Sequence, residues 1–381
     1  RVEMNALYET AGVVSVKRFS GLMSGLEKLS LREDVKVQDA IAALLTNDEV
    51  EYAQPNYILR ALPIEITDEE PPGGGIPCIP GYDIPGCTPT SPGGKIPCII
   101  PGIPFPPGCE DAGEEPTPVP TGTPPGTSKP PVAAVPAEVN PPVLDPMLSE
   151  TYGMAKIGAP DAWTSWKGSK NIIVAVIDTG VDYNHEDLAF NIWRNPNPTQ
   201  GDLVGYDFIH NDGLPFDDHA HGSHCSGTVG GVGGNGIGVS GVSQRVSIMG
   251  LKFLSAEGSG TTADAIRAID YAVSHGAKVL SNSWGGPAED GNQALKDSIE
   301  RAKVRDVLFI AAAGNGNQFG QGQNNDDPTK ASYPAGFDND NIIAVAATDR
   351  NDRLASFSNY GRTTVDLAAP GVDIKSTAAA R

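Results

Sequence analysis

Apolar residues fall into two patterned regions separated by a stretch with no period. Near the start, "VVSVKRF" reads as a strand and "KVQDAIAALLTNDEVEYAQPNYIL" as a helix followed by a strand. Val37, Ile41, Leu44 and Leu45 recur at helical spacing, which predicts a helix facing one small core. From about residue 142 the runs "IIVAVI", "VSIMGLKFL", "AKVLSNSW", "DVLFIAAAG" and "NIIAVAAT" alternate with helical patterns such as "TTADAIRAIDYAVSH" and "NQALKDSIERAKV". Runs that are apolar throughout suit strands buried on both faces, and their alternation with helices predicts βαβ units around a parallel sheet. The three parts are residues 1–61, a small α+β unit; 62–143, a linker; and 144–381, the α/β unit.

The linker is dominated by Pro and Gly, which sustain neither helices nor central strands. Within it "GGIPCIPGYDIPGC" is echoed by "GKIPCIIPGIPFPPGC", an imperfect repeat that sets Cys78 with Cys87 and Cys98 with Cys109. Two small disulfide loops are expected, in an oxidising compartment, with the fifth cysteine, Cys225, left free. A formal charge of −20 lacks the clustered cations that nucleic acid or an anionic membrane would require. No apolar run approaches bilayer-spanning length, and a soluble monomer is expected. The sequence opens at Arg1 with neither an initiator Met nor a signal-type stretch, so a late start or processing is expected.

Candidate chemistry sits where the apolar runs end. Asp178 directly follows "IIVAVI", at the edge where open α/β sheets place their sites. By residue type alone, an Asp before Gly180 is first a turn residue. "DDHAHGSHCSGTVGG" changes the balance by offering His221 and His224 at the start of an apparent helix. An imidazole oriented by a buried carboxylate is the general base that a serine nucleophile needs. Two His three apart could bind zinc, but the zinc-protease helix carries Glu inside its His pair and neither intervening residue here is acidic.

Together "VAVIDTGVDYNHEDL", "HGSHCSG", "SNSWGG", "AAAGNGN" and "ASFSNYG…VDLAAPGVDIKST", in that order, resemble the subtilisin-like serine proteases, the subtilases, from about Asp145 to Arg381. The resemblance implies a doubly wound, mostly parallel sheet and an Asp-His-Ser triad with Asp178 as acid and His221 as base. It also implies that the Asn315 amide donates to the oxyanion, and that His224 is structural. Gly258, Ser259 and Gly260 would face Ser283, Trp284 and Gly285 across a substrate cleft, where an extended peptide lies as an added strand. No charge lies in "SNSWGG", so broad cleavage after apolar or aromatic residues is expected. Cys225 would be a free thiol beneath the base, and a cysteine-protease reading gives way to the Asp178 and Asn315 motifs.

The resemblance further implies structural calcium, with no catalytic metal, at Asp187, the Asn235 side chain and the carbonyls of Gly233, Ile237 and Val239. Leu148 departs from that pattern by lacking an oxygen ligand. A second site at Asp207 and Asp212 is weakened by apolar Leu214 and Phe216, and surface acidity is the simpler reading there. Through "VEYAQPNY" the N-terminal unit resembles an inhibitory propeptide, cut near Arg60 or close to Asp145, which makes the chain a secreted or periplasmic zymogen. In the family "APGVDIKST" leads to a Gly-Thr-Ser turn opening a helix, whose Ser is the nucleophile. No Gly-Thr-Ser turn opening a helix is read anywhere within residues 1–381, and Ser223, Ser226 and Ser283 sit in motifs with other assignments, so this chain alone is expected to hydrolyse no peptide bond. The alternative, of another class, is a non-catalytic subtilase-like binding protein.

Overall fold

A computed structural model of the chain describes residues 2–63, 129–139, 142–287 and 292–379. The expected disulfides of Cys78, Cys87, Cys98 and Cys109 lie outside those residues. Among the described residues Cys225 is the free cysteine, and no helix is long and apolar enough to cross a membrane.

The first elements are α1 (Val2–Thr10), β1 (Val13–Arg18), β2 (Glu27–Leu31) and α2 (Val37–Leu44). Strands β1 and β2 pair antiparallel, and Ala40 and Leu44 of α2 pack with Ala11, Leu29 and Leu31 beneath them. The expected inward face of α2 is only partly right. Leu44 is buried, but Val37 and Leu45 remain 42% and 50% exposed. Helix α2 runs from Val37 to Leu44, so Leu45 is already its cap and Val37 is its first residue, two turns from Leu44.

The α/β unit follows with α3 (Tyr152–Lys156), α4 (Ala159–Trp163), β4 (Gly168–Asp178), β5 (Gly205–Asp207), α5 (His221–Gly230) and β6 (Arg245–Lys252). With β3 (Ile58–Ala61) belonging to the N-terminal part, the remainder is β7 (Ser259–Thr261), α6 (Thr262–Ser274), β8 (Val279–Asn282), β9 (Trp284–Gly285), α7 (Gln293–Val304), β10 (Leu308–Ala312), β11 (Ile342–Thr348) and β12 (Leu367–Pro370). Seven strands form one sheet in the order β12-β11-β10-β8-β4-β6-β5, and every pairing is parallel. The fold is a doubly wound α/β sheet.

Strand β4 shows why its sequence is apolar without alternation. Ala175 and Ile177 pack into the layer of α6 and α7 with Ile266, Ile269 and Leu280, while Val174 and Val176 pack on the opposite face with Ile248, Val229 and Cys225. Strand order reverses around β4, since β5 and β6 lie to one side of it and the later strands to the other. A crevice opens at the carboxyl edge of such a switch point, and Asp178 is the last residue of β4. A separate three-stranded sheet has the order β7-β3-β9, with β3 antiparallel to both neighbours.

Candidate active site

Asp178 is fully buried, and its Oδ1 lies 2.7 Å from Nδ1 of His221, the first residue of α5. Close approach of two backbone segments makes that distance possible. A Cβ on Gly222 would stand 2.1 Å from the carbonyl oxygen of Gly180, whose own φ of +114° suits glycine. The buried Asp217 carboxylate fixes the start of α5 by accepting from the N–H groups of His219, Ala220 and Ser223 and from the Thr179 hydroxyl. The Lys252 ammonium, at the end of β6 and also buried, donates to the carbonyls of Thr179 and Leu254 and to Asp218. Neither Asp217 nor Lys252 was singled out from sequence. A Lys inside the apolar run "VSIMGLKFL" was the available signal for the second.

The other imidazole nitrogen, Nε2, is 2.7 Å from the carbonyl oxygen of Leu62. A carbonyl only accepts, and Nδ1 faces a carboxylate, so both ring nitrogens have an acceptor and the arrangement suits the imidazolium. Burial disfavours that cation, but the adjacent Asp178 carboxylate and the Cys225 sulfur outweigh it and push the His221 pKa up. Cys225 Sγ sits 3.9 Å from Nδ1, one turn along α5. His224 points elsewhere, its Nε2 donating to the Ile374 carbonyl.

The cleft between Gly258–Gly260 and Ser283–Gly285 holds the chain's own β3. Leu59 pairs with Gly260, Arg60 with Ser259 and Gly285, and Ala61 with Trp284. Beyond the ladder, Ala61 N–H donates to the Gly258 carbonyl at 2.8 Å and Leu62 N–H to the Ser283 carbonyl at 2.9 Å. Leu59 is buried and Arg60 exposed, as a period of two demands. Asn315, in the loop after β10, donates through Nδ2 to the Pro63 carbonyl at 3.1 Å. Upstream, Asn56 Oδ1 accepts from Ala263 N–H and Gln54 Oε1 from Ala294 N–H, so the same segment satisfies donors at the starts of α6 and α7. Trp284 takes part through its backbone. Its indole is buried between Phe253 and Phe309 with β3 in place.

Around the expected calcium residues, Asp187 is buried and its carboxylate accepts from Asn235 Nδ2 and Val239 N–H, both at 2.8 Å. Burial with no cationic partner pushes its pKa up to about 7. The carbonyls of Gly233, Ile237 and Val239 have no backbone N–H partner among the described residues. Asp145 shapes this loop from outside the expected set, accepting from the N–H groups of Gly234, Asn235 and Gly236 and from the Ser240 hydroxyl. A buried carboxylate and free carbonyls fit a hard cation, although the Asn235 amide must turn to offer its oxygen.

Asp207 and Asp212 are not simple surface acidity. Asp207 is fully buried, and both carboxylates accept from the Lys129 ammonium. Burial pushes Asp207 up, yet Lys129 and His210 outweigh it and hold its carboxyl low. Lys129 opens a strap that continues over this surface. Tyr183 donates to the Pro130 carbonyl, Asn184 to that of Pro131, and Arg194 to that of Ala133.

Residues 169–381 match the model of the subtilase family. The chain is 39% identical over 234 residues to Thermitase of Thermoactinomyces vulgaris, a match covering 61% of this chain and 75% of that one. It is 38% identical over 226 residues to the Thermophilic serine proteinase of Bacillus sp. (strain AK1), covering 59% of this chain and half of the relative. Subtilisin DY of Bacillus licheniformis is 34% identical over 226 residues, at 59% and 74% coverage. Among solved structures, that of a cold adapted subtilisin-like serine proteinase is 33% identical with a TM-score of 0.46, covering 56% of this chain and 67% of the other.

Proposed function

The chain belongs to the subtilase family, and on that premise we propose that it is the zymogen of an exported serine endopeptidase, with Asp178, His221 and Asn315 in its catalytic machinery. The observation that carries this reading is a hydrogen-bonded, buried Asp178–His221 pair facing an extended strand whose carbonyl lies on His221 Nε2. A substrate strand takes the place of β3 between β7 and β9. Backbone pairing binds it whatever its sequence, and the pocket that buries Leu59 selects an apolar side chain. With β3 gone, Nε2 is free to take the proton of a serine hydroxyl as that oxygen attacks the scissile carbonyl. Asp178 holds the ring and stabilises the imidazolium, and Asn315 donates to the oxygen as it becomes negative. The N-terminal unit is the inhibitor in this reading, because β3 fills the cleft.

The nucleophile is assigned to a Gly-Thr-Ser turn that opens a helix. The sequence also contains that tripeptide as Gly126, Thr127 and Ser128, but residues 129–139 that follow it form no helix, so it is not the nucleophile turn. A serine-directed fluorophosphonate probe applied to the full-length gene product, with the 1–381 chain beside it, tests the assignment. Labelling of the full-length form alone is expected. Specific labelling of the 1–381 chain would place the nucleophile elsewhere, and a full-length form that binds peptides but neither labels nor cleaves them would be a binding protein.

Structural calcium belongs to the same proposal, held by Asp187, Asn235 and the carbonyls of Gly233, Ile237 and Val239. It supplies charge neutralisation to a buried carboxylate. Chelation of the full-length protein is expected to lower its thermal midpoint by several degrees, since an ion at a hundred times its Kd adds about 2.7 kcal/mol to the native state. An unchanged midpoint at fixed ionic strength would remove calcium from the account.

A further inference from the structure

We infer that Pro63 makes the self-bound strand uncleavable at the catalytic seat, so that the N-terminal unit is a built-in inhibitor which its own active site cannot cut. The inference rests on the protease reading above and deepens it.

The register fixes which bond is presented. Ala61 N–H donates to Gly258, Leu62 N–H to Ser283, and the Leu62 carbonyl accepts from His221 Nε2. With Leu62 held by Ser283 and its carbonyl on the base, the bond that follows is Leu62–Pro63. Asn315, which donates to the Pro63 carbonyl in this occupied state, must move back by one carbonyl to serve the oxyanion of that bond. In the proposed reaction a serine oxygen bonds to the carbonyl carbon, the carbon–nitrogen bond breaks, and His221 hands the serine proton to the leaving nitrogen. Water then repeats the sequence to free the acid. At Leu62–Pro63 the leaving nitrogen carries no hydrogen, and the ring carbon Cδ occupies the side where a secondary amide carries N–H. His221 must deliver its proton to this nitrogen from within a buried pair fixed by Asp178 and has no second approach.

The same feature places the maturation cut. Asp145 is 3% exposed and tied to the loop 234–240, so cleavage there would have to unpick that loop first. The cut that frees the unit therefore lies between Pro63 and Asp145, reached in trans or by another protease.

The test compares wild type and Pro63→Ala in the full-length gene product, with casein hydrolysis measured in parallel and His221→Ala added to each. Pro63 is exposed, so the variant is expected to fold. Intact mass should show a fragment ending at Leu62 in Pro63→Ala and none in wild type. A peptide of residues 56–66 with Ala at position 63 should be cut after Leu62 about a hundredfold faster than the native peptide, the scale of a misplaced reacting group. Cleavage of wild type at Leu62–Pro63, or equal rates on the two peptides while casein is hydrolysed, overturns the inference alone. No casein hydrolysis by any form after the linker has been cut with an added protease that is then inhibited, or hydrolysis that survives His221→Ala, overturns the reading beneath it.

Discussion

Peptidase turnover by the full-length gene product is expected to fall about 10⁴–10⁶-fold in Asp178→Asn and in His221→Ala, because groups that act as a unit lose most of their effect when one is removed. The two variants fail for different reasons. In Asp178→Asn the shape of the carboxylate survives, but an amide nitrogen facing Nδ1 favours the tautomer that leaves Nε2 protonated and unable to accept the serine proton. In His221→Ala the base itself is gone. Asn at 178 leaves burial almost unchanged, so thermal unfolding should show a folded protein. A folded Asp178→Asn enzyme with wild-type turnover would remove this pair from the mechanism.

Gly222→Ala is expected to lower turnover by about a hundredfold from a position that touches no substrate. The added Cβ would lie 2.1 Å from the Gly180 carbonyl oxygen and 3.1 Å from its carbon, and both are backbone atoms that cannot rotate away. Helix α5 must then withdraw from β4, carrying His221 off Asp178. A displacement of about 1 Å costs on the order of a hundredfold in turnover, and the overpacking destabilises by about 1–3 kcal/mol. Kinetics and thermal unfolding of the same preparation check both halves. Unchanged turnover would mean that the approach of α5 to Gly180 is not what sets the Asp178–His221 distance.

What was legible in the sequence was whatever one stretch of chain determines for itself. "IIVAVI" followed by Asp178 announces a doubly buried strand with a carboxylate at its end, and β4 is that strand. "TTADAIRAIDYAVSH" has the period of α6, and its Ala265, Ile266, Ala268, Ile269 and Ala272 form the buried stripe. What stayed hidden depends on partners distant in sequence. Asp217 reads as one acid among several in "DDHAHG", and only the fold sets it beneath the first turn of α5. Lys129 lies within the Pro-rich linker, and nothing local says that its ammonium reaches Asp207 and Asp212. Trp284 sits in a short motif, and nothing local says that its ring packs against Phe253 and Phe309 from distant strands.

The strap that begins at Lys129 changes how the occupied cleft responds to dilution. The chain leaves the cleft at Pro63 and is held again at Lys129 by two carboxylates on the same body that the cleft belongs to. While residues 64–128 are continuous, return of β3 to the cleft is a first-order event, with a local concentration on the order of a millimolar or somewhat less. No amount of dilution opens such a cleft. One break in the connection turns the same contact into a second-order one without altering a single atom of the interface. At nanomolar protein, a segment that binds with micromolar affinity then leaves and does not return. In the zymogen proposed above, the linker would act on molecularity, and dilution after a cut would complete the opening that the cut only permits.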